Sequence, residues 1–336
     1  MLLTKLLALR PDLLLPHAAR GAAAITGFAA YLIWLWTWSQ RVSPPGSMQS
    51  RAGQLRFVLH GLRNSSALCP FFNAPDDGAL GRALRSRPQT LRILLHAYQT
   101  TAWDLPTRLD NLVRHFDELA MLGWPDLTDP EKSVEIMPLP EIAPRLRLVL
   151  DQPPWFSSEG PLALNLFDGE ERLYSLAFAL RRHEGLVTAQ VGAIQGRAMP
   201  AIMDVYRQMT RSSHGLRPRS LLIELFRSFC AAIEVHQVLL VSDSHRQHRD
   251  SYFGTAGGAV KVNYDTIWLE HGAHRVDDAT FHLPVQTVRR GPGDIPPRKR
   301  ALYRRRYALL DTLKARMVQN IAAIRRVPAS SEPELV

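Results

Sequence analysis

Two arginines and a glycine stand at the start of an apolar helical pattern in the middle of this 336-residue chain. Gly215 permits a tight turn, and Pro218 suits the first turn of a helix, where no amide hydrogen is needed. The first turn of a helix leaves backbone N–H groups unpaired, and such groups bind anions. We therefore expect an acidic ligand at this turn. The residues predicted to hold it are Gly215, Arg217, Arg219 and Ser220.

The residues after this turn predict the elements that position it. Leucine and phenylalanine recur at helical spacing from Leu221 to Ile233, and an apolar run from Val238 to Val241 follows. The first pattern predicts an amphipathic helix, and the second is typical of a strand covered on both faces. A turn, a helix and a buried strand in this order are typical of α/β proteins.

Glu159 and His214 are the candidate catalytic residues. We expect both near the cleft between sheet and helix, with Glu159 acting as a base. A structural role is the alternative for each of them. In that case Glu159 and Gly160 form a turn before a strand, and His214 caps the helix.

Several reaction classes have no motif in this sequence. It contains no G-x-S-x-G elbow, no Walker-type loop and no H-E-x-x-H pair, so the hydrolase and NTPase interpretations have no support. The histidines from His245 to His282 lack the spacing and the cysteine partners of a zinc site. No metal ion is predicted.

The formal net charge of +10 is concentrated near the C-terminus. From Arg298 to Arg326 there are ten basic residues and one acidic residue, Asp311, which gives 10 − 1 = +9. A basic helix attracts phosphate, either in RNA or in anionic lipid head groups. We expect Arg304, Arg305 and Arg306 to bind such a polyanion, with a solvated helix as the alternative.

A membrane contact is predicted at Gly21–Ser39, which has no charged side chain and contains Trp34, Trp36 and Trp38. Its length is at the lower edge of what crosses a bilayer, and tryptophan is enriched at bilayer surfaces. A helix buried in the core is the alternative. Because two cysteines are too few for a disulfide framework, we expect a cytoplasmic protein, at the inner face of the inner membrane if it is attached.

Changes in composition divide the chain. The predicted parts are an apolar segment at 1–42, a linker at 43–54, a helical part at 55–144, an α/β part at 145–288 and a basic helix with a tail at 289–336. Within the helical part, the apolar residues of Leu55–Leu62 and Leu91–Tyr98 have helical spacing, and we expect them to face the core. From Leu146 to Ile194 the pattern predicts strands, with a hairpin turn at Asp168–Glu171.

Several stretches resemble the VirK/YbjX family of bacterial proteins. They are E-G-P-L-A-L-N-L from Glu159, V-G-A-I-Q-G from Val191, H-G-L-R-P-R-S-L-L from His214, Y-D-T-I-W-L-E-H-G-A from Tyr264 and A-L-Y-R-R-R-Y-A-L-L-D from Ala301. The resemblance extends from Leu55 to Lys314. It implies a role in envelope or virulence-related physiology of Gram-negative bacteria, including antimicrobial-peptide resistance, and it implies no particular reaction.

The order of elements in the α/β part resembles that of GNAT acyltransferases. This implies a GNAT-like mixed, largely antiparallel sheet with packed helices. Together with the N-terminal helical part, the predicted fold class is α/β (α+β). The resemblance also implies an acyl donor, acyl-coenzyme A, with its pyrophosphate at the turn that contains Gly215. The sequence departs from the GNAT pattern at two positions. Pro218 removes one amide, and Trp268 stands where these enzymes often carry a tyrosine that protonates the leaving thiolate.

Overall fold

The structure, a computed structural model, describes residues 17–252 and 262–325. The chain divides into two compact units, Met1–Ala74 and Pro75–Val336. The boundary falls inside the predicted helical part at 55–144. The beginning of the predicted apolar segment and the predicted C-terminal tail from 326 onward lie outside the described residues.

The first unit is helical, with α1 at His17–Val42, α2 at Met48–Arg63 and α3 at Ser65–Phe72. The first two helices pack closely where Gly61 meets Leu35, because a Cβ on Gly61 would lie 2.4 Å from Leu35 Cδ2. The Tyr31 hydroxyl donates to the Gly61 carbonyl at 2.8 Å. None of the helices in 17–252 and 262–325 combines the length and the apolar character needed to cross a bilayer.

The predicted row of three tryptophans does not form one surface. Trp34 stacks on Tyr31 and contacts Phe72, and Trp38 is buried, whereas Trp36 is 51% exposed. The cause is helical geometry, since residues four apart share a face and the residue between them points away.

The prediction for the faces of α2 was also wrong. The helix forms as expected, but Leu55, Leu59 and Leu62 are exposed, while Phe57 and Gly61 are buried. The predicted linker at 43–54 is shorter than expected, because Ser47 caps α2 by accepting the Ser50 N–H at 3.1 Å.

The second unit begins with two helices, α4 at Ala79–Ser86 and α5 at Leu105–Leu122. Between them, the predicted helix at Leu91–Tyr98 is a short 3-10 helix at Pro88–Leu94. Beyond this short helix, Gln99 has a positive φ of 56°, which is not helical. Its N–H donates to the Ser158 carbonyl at 2.7 Å, so it binds the loop before β3 and not a preceding helical turn.

An eight-stranded sheet is the centre of this unit, in the order β1-β2-β3-β4-β5-β6-β8-β7. The strands are Val134–Pro138 (β1), Leu146–Asp151 (β2), Leu162–Asp168 (β3), Glu171–His183 (β4), Leu186–Gly196 (β5), Gln237–Val241 (β6), His274–Arg275 (β7) and Thr280–Leu283 (β8). Strands β1 to β5 form an antiparallel meander, and β5 with β6 is the parallel pair. The predicted α/β fold with helices before a largely antiparallel sheet is confirmed.

Side chains from other elements pack on both faces of the sheet. The chain passes from β5 through α6 (Ile202–Ser212) and α7 (Pro218–Ala232) to β6, then through α8 (Tyr264–Glu270) to the last hairpin and α9 (Arg300–Ile324). Phe226 and Phe229 of α7 contact Phe178 of β4 edge-on, with ring centroids 4.9 and 6.0 Å apart. On the other face, Phe156 packs with Ala163, Ala177 and Ala193.

A bulge in β5 allows the loop before β3 to lie directly on the sheet. The pairing of β4 with β5 shifts between Ala177 and Phe178, leaving Gly192 without a strand partner. A Cβ on Gly192 would lie 1.9 Å from the Glu159 carbonyl oxygen. Only glycine fits at this contact.

We predict that Gly192→Ala lowers the free energy of unfolding by about 1–3 kcal/mol, because the added methyl group must displace the backbone of Glu159. Urea denaturation measures the change. Gly293→Ala is the matched control, since no atom lies within 4 Å of a Cβ there, and its effect should stay within about 0.5 kcal/mol. Equal stability of Gly192→Ala and the wild type would contradict the close contact.

Candidate functional site

The parallel strands β5 and β6 part at their C-terminal ends. Their pairing runs from Thr188 with Gln237 to Val191 with Leu240 and then stops. Strand β5 continues to Gly196 beside β4 alone. We call this opening, bounded by β5 residues 192–196 and the end of β6, the sheet gap.

Two side chains of α8 take the place of a strand in the sheet gap. The Tyr264 hydroxyl accepts the Ile194 N–H at 2.9 Å and donates to the Ile194 carbonyl at 3.0 Å. The Trp268 indole N–H donates to the Val241 carbonyl at 2.8 Å. Both side chains are 1% exposed. The buried backbone groups at the sheet gap are thus paired by side chains.

Glu159 and Arg246 lie on the Phe156 face of the sheet, next to the sheet gap. The Arg246 guanidinium stacks on the Tyr264 ring at 3.5 Å from its centroid and pairs with Asp243 at 3.4 Å. Burial raises the pKa of Glu159 to about 7, and the positive charge of Arg246 opposes that rise. A carboxyl group with this pKa exchanges a proton near neutral pH, which a general base requires.

Backbone contacts hold Glu159 in place. Its N–H donates to the Phe156 carbonyl at 2.9 Å, and its carbonyl lies against Gly192. The Gln99 side-chain amide donates to the Gln190 carbonyl of β5 at 2.8 Å. Glu159 therefore forms part of the turn before β3, as the structural alternative predicted. Its backbone contacts fix the position from which its side chain extends.

A cavity of about 400 Å³ lies beside Phe156 and Trp155. Arg172 lies in its wall, held by Asp151 at 2.5 Å and stacked 5.3 Å from the Trp155 ring. Ser175 and Gln195, which face each other across β4 and β5, also line it. The cavity is large enough for a small polar molecule.

A larger cavity lies at the N-terminal end of α7. Its volume is about 800 Å³, and five arginines line it together with Glu224 and Glu270. We call it the arginine cleft; its arginines are Arg217, Arg219, Arg227, Arg290 and Arg306. Helix α7, the segment 284–290 and α9 form its walls. Five positive charges against two negative charges favour an anion.

The start of α7 offers unpaired backbone donors to this cleft. The first helical bond runs from the Leu221 N–H to the Arg217 carbonyl, and no side chain caps the helix. Within the described residues, the N–H groups of Arg219 and Ser220 have no partner. Arg219 pairs with Glu270 at 3.0 Å, and Arg217 is exposed. The predicted set Gly215, Arg217, Arg219 and Ser220 therefore lines one cavity.

A second cavity, of about 590 Å³, lies on the other side of Arg217 and Arg219, between α6 and α7. We call it the tyrosine cleft, after Tyr174 and Tyr206 in its wall. Burial raises the pKa of Tyr174, and the charge of Arg219 opposes this. Burial likewise raises the pKa of Tyr264 to about 12, and the positive charge of Arg246 opposes that rise. Arg219 and Tyr174 thus share the wall of the tyrosine cleft.

The two predicted catalytic residues are not brought into contact. Glu159 lies in the turn before β3, with its carbonyl against Gly192 of β5, whereas His214 lies in the turn between α6 and α7. The His214 carbonyl accepts two hydrogen bonds from Arg306, at 3.0 and 2.9 Å. His214 has a positive φ of 53°, so its backbone forms the turn that leads to α7.

The predicted polyanion-binding arginines are in different environments. Arg306 fixes the turn before α7 and lines the arginine cleft. Arg304 and Arg305 are exposed on α9. The three residues therefore do not form one uniform charged surface.

Tyr264 and Arg246 were not among the residues predicted from the sequence. Trp268 drew attention to α8, but nothing in the spacing showed that a phenol four residues earlier would bind β5. The detectable signal was the N-cap at Asn263, which accepts the Thr266 N–H at 3.0 Å and fixes the start of α8. In residues 17–252 and 262–325, no cluster of histidine, cysteine and carboxylate side chains suits a metal ion.

The comparison with protein families matches residues 46–319 to the family described as "Protein of unknown function (DUF535)". The chain belongs to this family. The resemblance to VirK/YbjX proteins is thereby confirmed. No solved structure matches the chain, so the predicted resemblance to GNAT enzymes stays a prediction.

Curated bacterial relatives support the same membership. "Uncharacterized protein YbjX" of Escherichia coli is 28% identical over 145 residues, which cover 43% of this chain and 44% of that protein. An "Uncharacterized protein" of Haemophilus influenzae is 29% identical over 206 residues, covering 61% of this chain and 65% of that protein. A second protein of that organism with the same description is 30% identical over 157 residues, covering 46% and 51%. Each match thus spans less than two thirds of the relative.

We predict that Glu159→Gln changes the pH dependence of stability. A pKa raised from 4.5 to about 7 means that the folded state binds a proton that the unfolded state releases between these values. The wild type therefore loses stability as pH rises through this window, by up to about 3 kcal/mol. The glutamine side chain has the shape of the neutral carboxyl group and does not ionise. The free energy of unfolding of the variant should therefore equal that of the wild type at pH 5 and exceed it at pH 8.

Urea unfolding at the two pH values measures the difference. Glu170→Gln, at a side chain that is 98% exposed, is the matched control and should follow the wild-type pH dependence. A constant difference between Glu159→Gln and the wild type at both pH values would show that the carboxyl group has an ordinary pKa.

Proposed function

We propose that this DUF535 protein is an acyltransferase that takes its acyl group from acyl-coenzyme A. The observation that carries the proposal is the uncapped start of α7, where Arg217 and Arg219 line both the arginine cleft and the tyrosine cleft. Tyr264 fills the sheet gap, and the Glu159 carboxyl group, whose pKa burial raises to about 7, is the candidate base. The GNAT-like order of elements supports the same reaction.

The diphosphate of the donor is placed at the start of α7. Arg217 and Arg219 lie between the arginine cleft and the tyrosine cleft, so a diphosphate there leaves one cavity for each end of the molecule. The unpaired N–H groups of Arg219 and Ser220 supply hydrogen bonds that do not depend on Pro218. The amide lost at Pro218 is therefore replaced by guanidinium groups.

The acyl group is placed toward Glu159, on the far side of the sheet gap. The Glu159 carboxylate accepts a proton from an amine or hydroxyl group of the acceptor as that group attacks the thioester carbon. The carbon–sulfur bond then breaks, and the coenzyme A thiolate leaves and takes a proton from water. Glu159 returns its proton to the hydroxide that remains, which restores the carboxylate. The cavity beside Trp155 and Arg172 lies on the correct face for the acceptor.

The setting of this reaction is part of the proposal. The resemblance to VirK/YbjX proteins implies a product that belongs to the cell envelope, with an effect on virulence and on resistance to antimicrobial peptides. The two cysteines, Cys69 exposed and Cys230 buried, are both free thiols, which suits a donor found in the cytoplasm.

We predict that the protein binds acetyl- or palmitoyl-coenzyme A in calorimetric titration at low salt. Arg217→Gln/Arg219→Gln should raise the Kd at least tenfold, because it removes two charges beside the phosphates. Arg304→Gln/Arg305→Gln is the matched control. It removes the same charge from exposed positions outside the cleft and should change Kd by less than about twofold.

Turnover is measured as the release of coenzyme A thiol in the presence of amine and hydroxyl acceptors. Glu159→Gln should bind the donor normally and lower kcat by about 10²–10⁴-fold. Absence of heat with both thioesters would refute the donor. If both double arginine variants lose affinity for the thioesters equally, and the protein binds RNA in a way that weakens as salt rises, the alternative of a polyanion-binding regulator would be supported.

A further inference from the structure

Helix α2 of the first unit has an exposed row of apolar side chains. Met48 is 87% exposed, Leu55 61%, Leu59 49% and Leu62 37%. The spacing of these residues, with Ala52 between the first two, places them on one side of the helix. We call this surface the α2 stripe, composed of Met48, Ala52, Leu55, Leu59 and Leu62.

The core of the first unit uses the opposite side of α2. Phe57 is fully buried, Gly61 touches Leu35, and the Gln54 side chain donates to the Ser43 carbonyl at 2.7 Å. The α2 stripe is therefore not an unfilled part of this core. A contiguous exposed apolar row on a folded helix indicates a surface that binds something.

Arginines flank the α2 stripe on both sides. At about 100° per residue, Arg51 falls on one side of the row and Arg56 and Arg63 fall on the other. All three side chains are exposed. Long basic side chains beside an apolar row allow the row to enter an apolar phase while the charges stay at its polar boundary.

The charged side chains from His17 to Ala74 are all basic. From His17 to Ala74 there are five arginines and neither aspartate nor glutamate, in a chain that has 31 acidic residues among 336. At that average frequency, a stretch of this length would contain about five acidic residues. The region therefore attracts negatively charged surfaces with no internal compensation.

We propose that the α2 stripe docks on an anionic lipid bilayer, with α2 lying in the plane of the interface. The leucines enter the acyl boundary, and Arg51, Arg56 and Arg63 contact phosphate head groups. This surface differs from the one expected at Gly21–Ser39. It requires no helix that crosses the bilayer, in agreement with the helices of the described residues.

Charge also argues against a second copy of the chain as the occupant. Two copies that met stripe to stripe would bring their arginines together, with no acidic residue from His17 to Ala74 to offset them. Like charges in apposition oppose association, whereas anionic head groups neutralise them.

The test uses full-length protein and vesicles of phosphatidylcholine alone or with about one third phosphatidylglycerol. The wild type should sediment with the anionic vesicles and bind them at least tenfold more tightly than the neutral ones. Leu55→Gln/Leu59→Gln/Leu62→Gln should lower binding to anionic vesicles at least tenfold. Circular dichroism and the Tm should stay unchanged, since the three side chains are exposed.

Matched variants remove exposed apolar side chains elsewhere. Met121→Gln/Leu186→Gln/Val276→Gln, at positions 64%, 55% and 57% exposed, should bind like the wild type. Ile33→Gln/Trp36→Gln, on α1, should keep most of the binding. The proposal would be overturned if the wild type did not bind anionic vesicles, or if the triple leucine variant of α2 bound them as tightly as the wild type. A variant that binds vesicles normally but changes the oligomeric state in light scattering would assign the α2 stripe to a second copy.

Discussion

The pairing of buried backbone groups at the sheet gap is the constraint on which the rest of the second unit depends. Where β5 and β6 part, the ladder leaves N–H and C=O groups inside the protein, and each such group is costly if it stays unpaired. Tyr264 and Trp268 satisfy these groups. These hydrogen bonds fix the position of α8, where the Arg246 guanidinium stacks on the Tyr264 ring and Asp243 accepts the Tyr264 N–H.

The arginines of this protein fall into two physical classes, which explains why net charge alone is a poor guide to its ligands. Arg172, Arg227 and Arg306 are held by hydrogen bonds or ion pairs and stabilise the fold. Others, such as Arg217 and Arg304, are exposed. The site combines both classes, because fixed guanidinium groups shape the arginine cleft and exposed ones remain able to meet a ligand.

Periodicity was sufficient to predict the central helix with its strand and the hairpin at Asp168–Glu171, because each depends on local spacing. That Gly215, Arg217, Arg219 and Ser220 lie together was also predictable, since they occupy one turn, and their binding of a ligand stays a prediction. The contact of Glu159 with Gly192 and the hydrogen bonds of Tyr264 were not, because they join residues far apart in sequence. The face of α2 was predicted wrongly for another reason. Leucines and a phenylalanine compete for the core there, and Gly61 decides the outcome by letting α1 approach.

The position of α9 has a consequence for the order of events during synthesis. Arg306 holds the turn before α7, Arg316 pairs with Glu141, and Asn320 donates to the Ile136 carbonyl on the edge strand β1. These partners leave the ribosome long before α9 does. The nascent chain therefore carries an open sheet edge and lacks the Arg306 contact to the turn before α7 until its last described helix emerges. Premature termination before Arg306 would release a protein whose central sheet is translated in full but whose arginine cleft lacks the wall formed by α9.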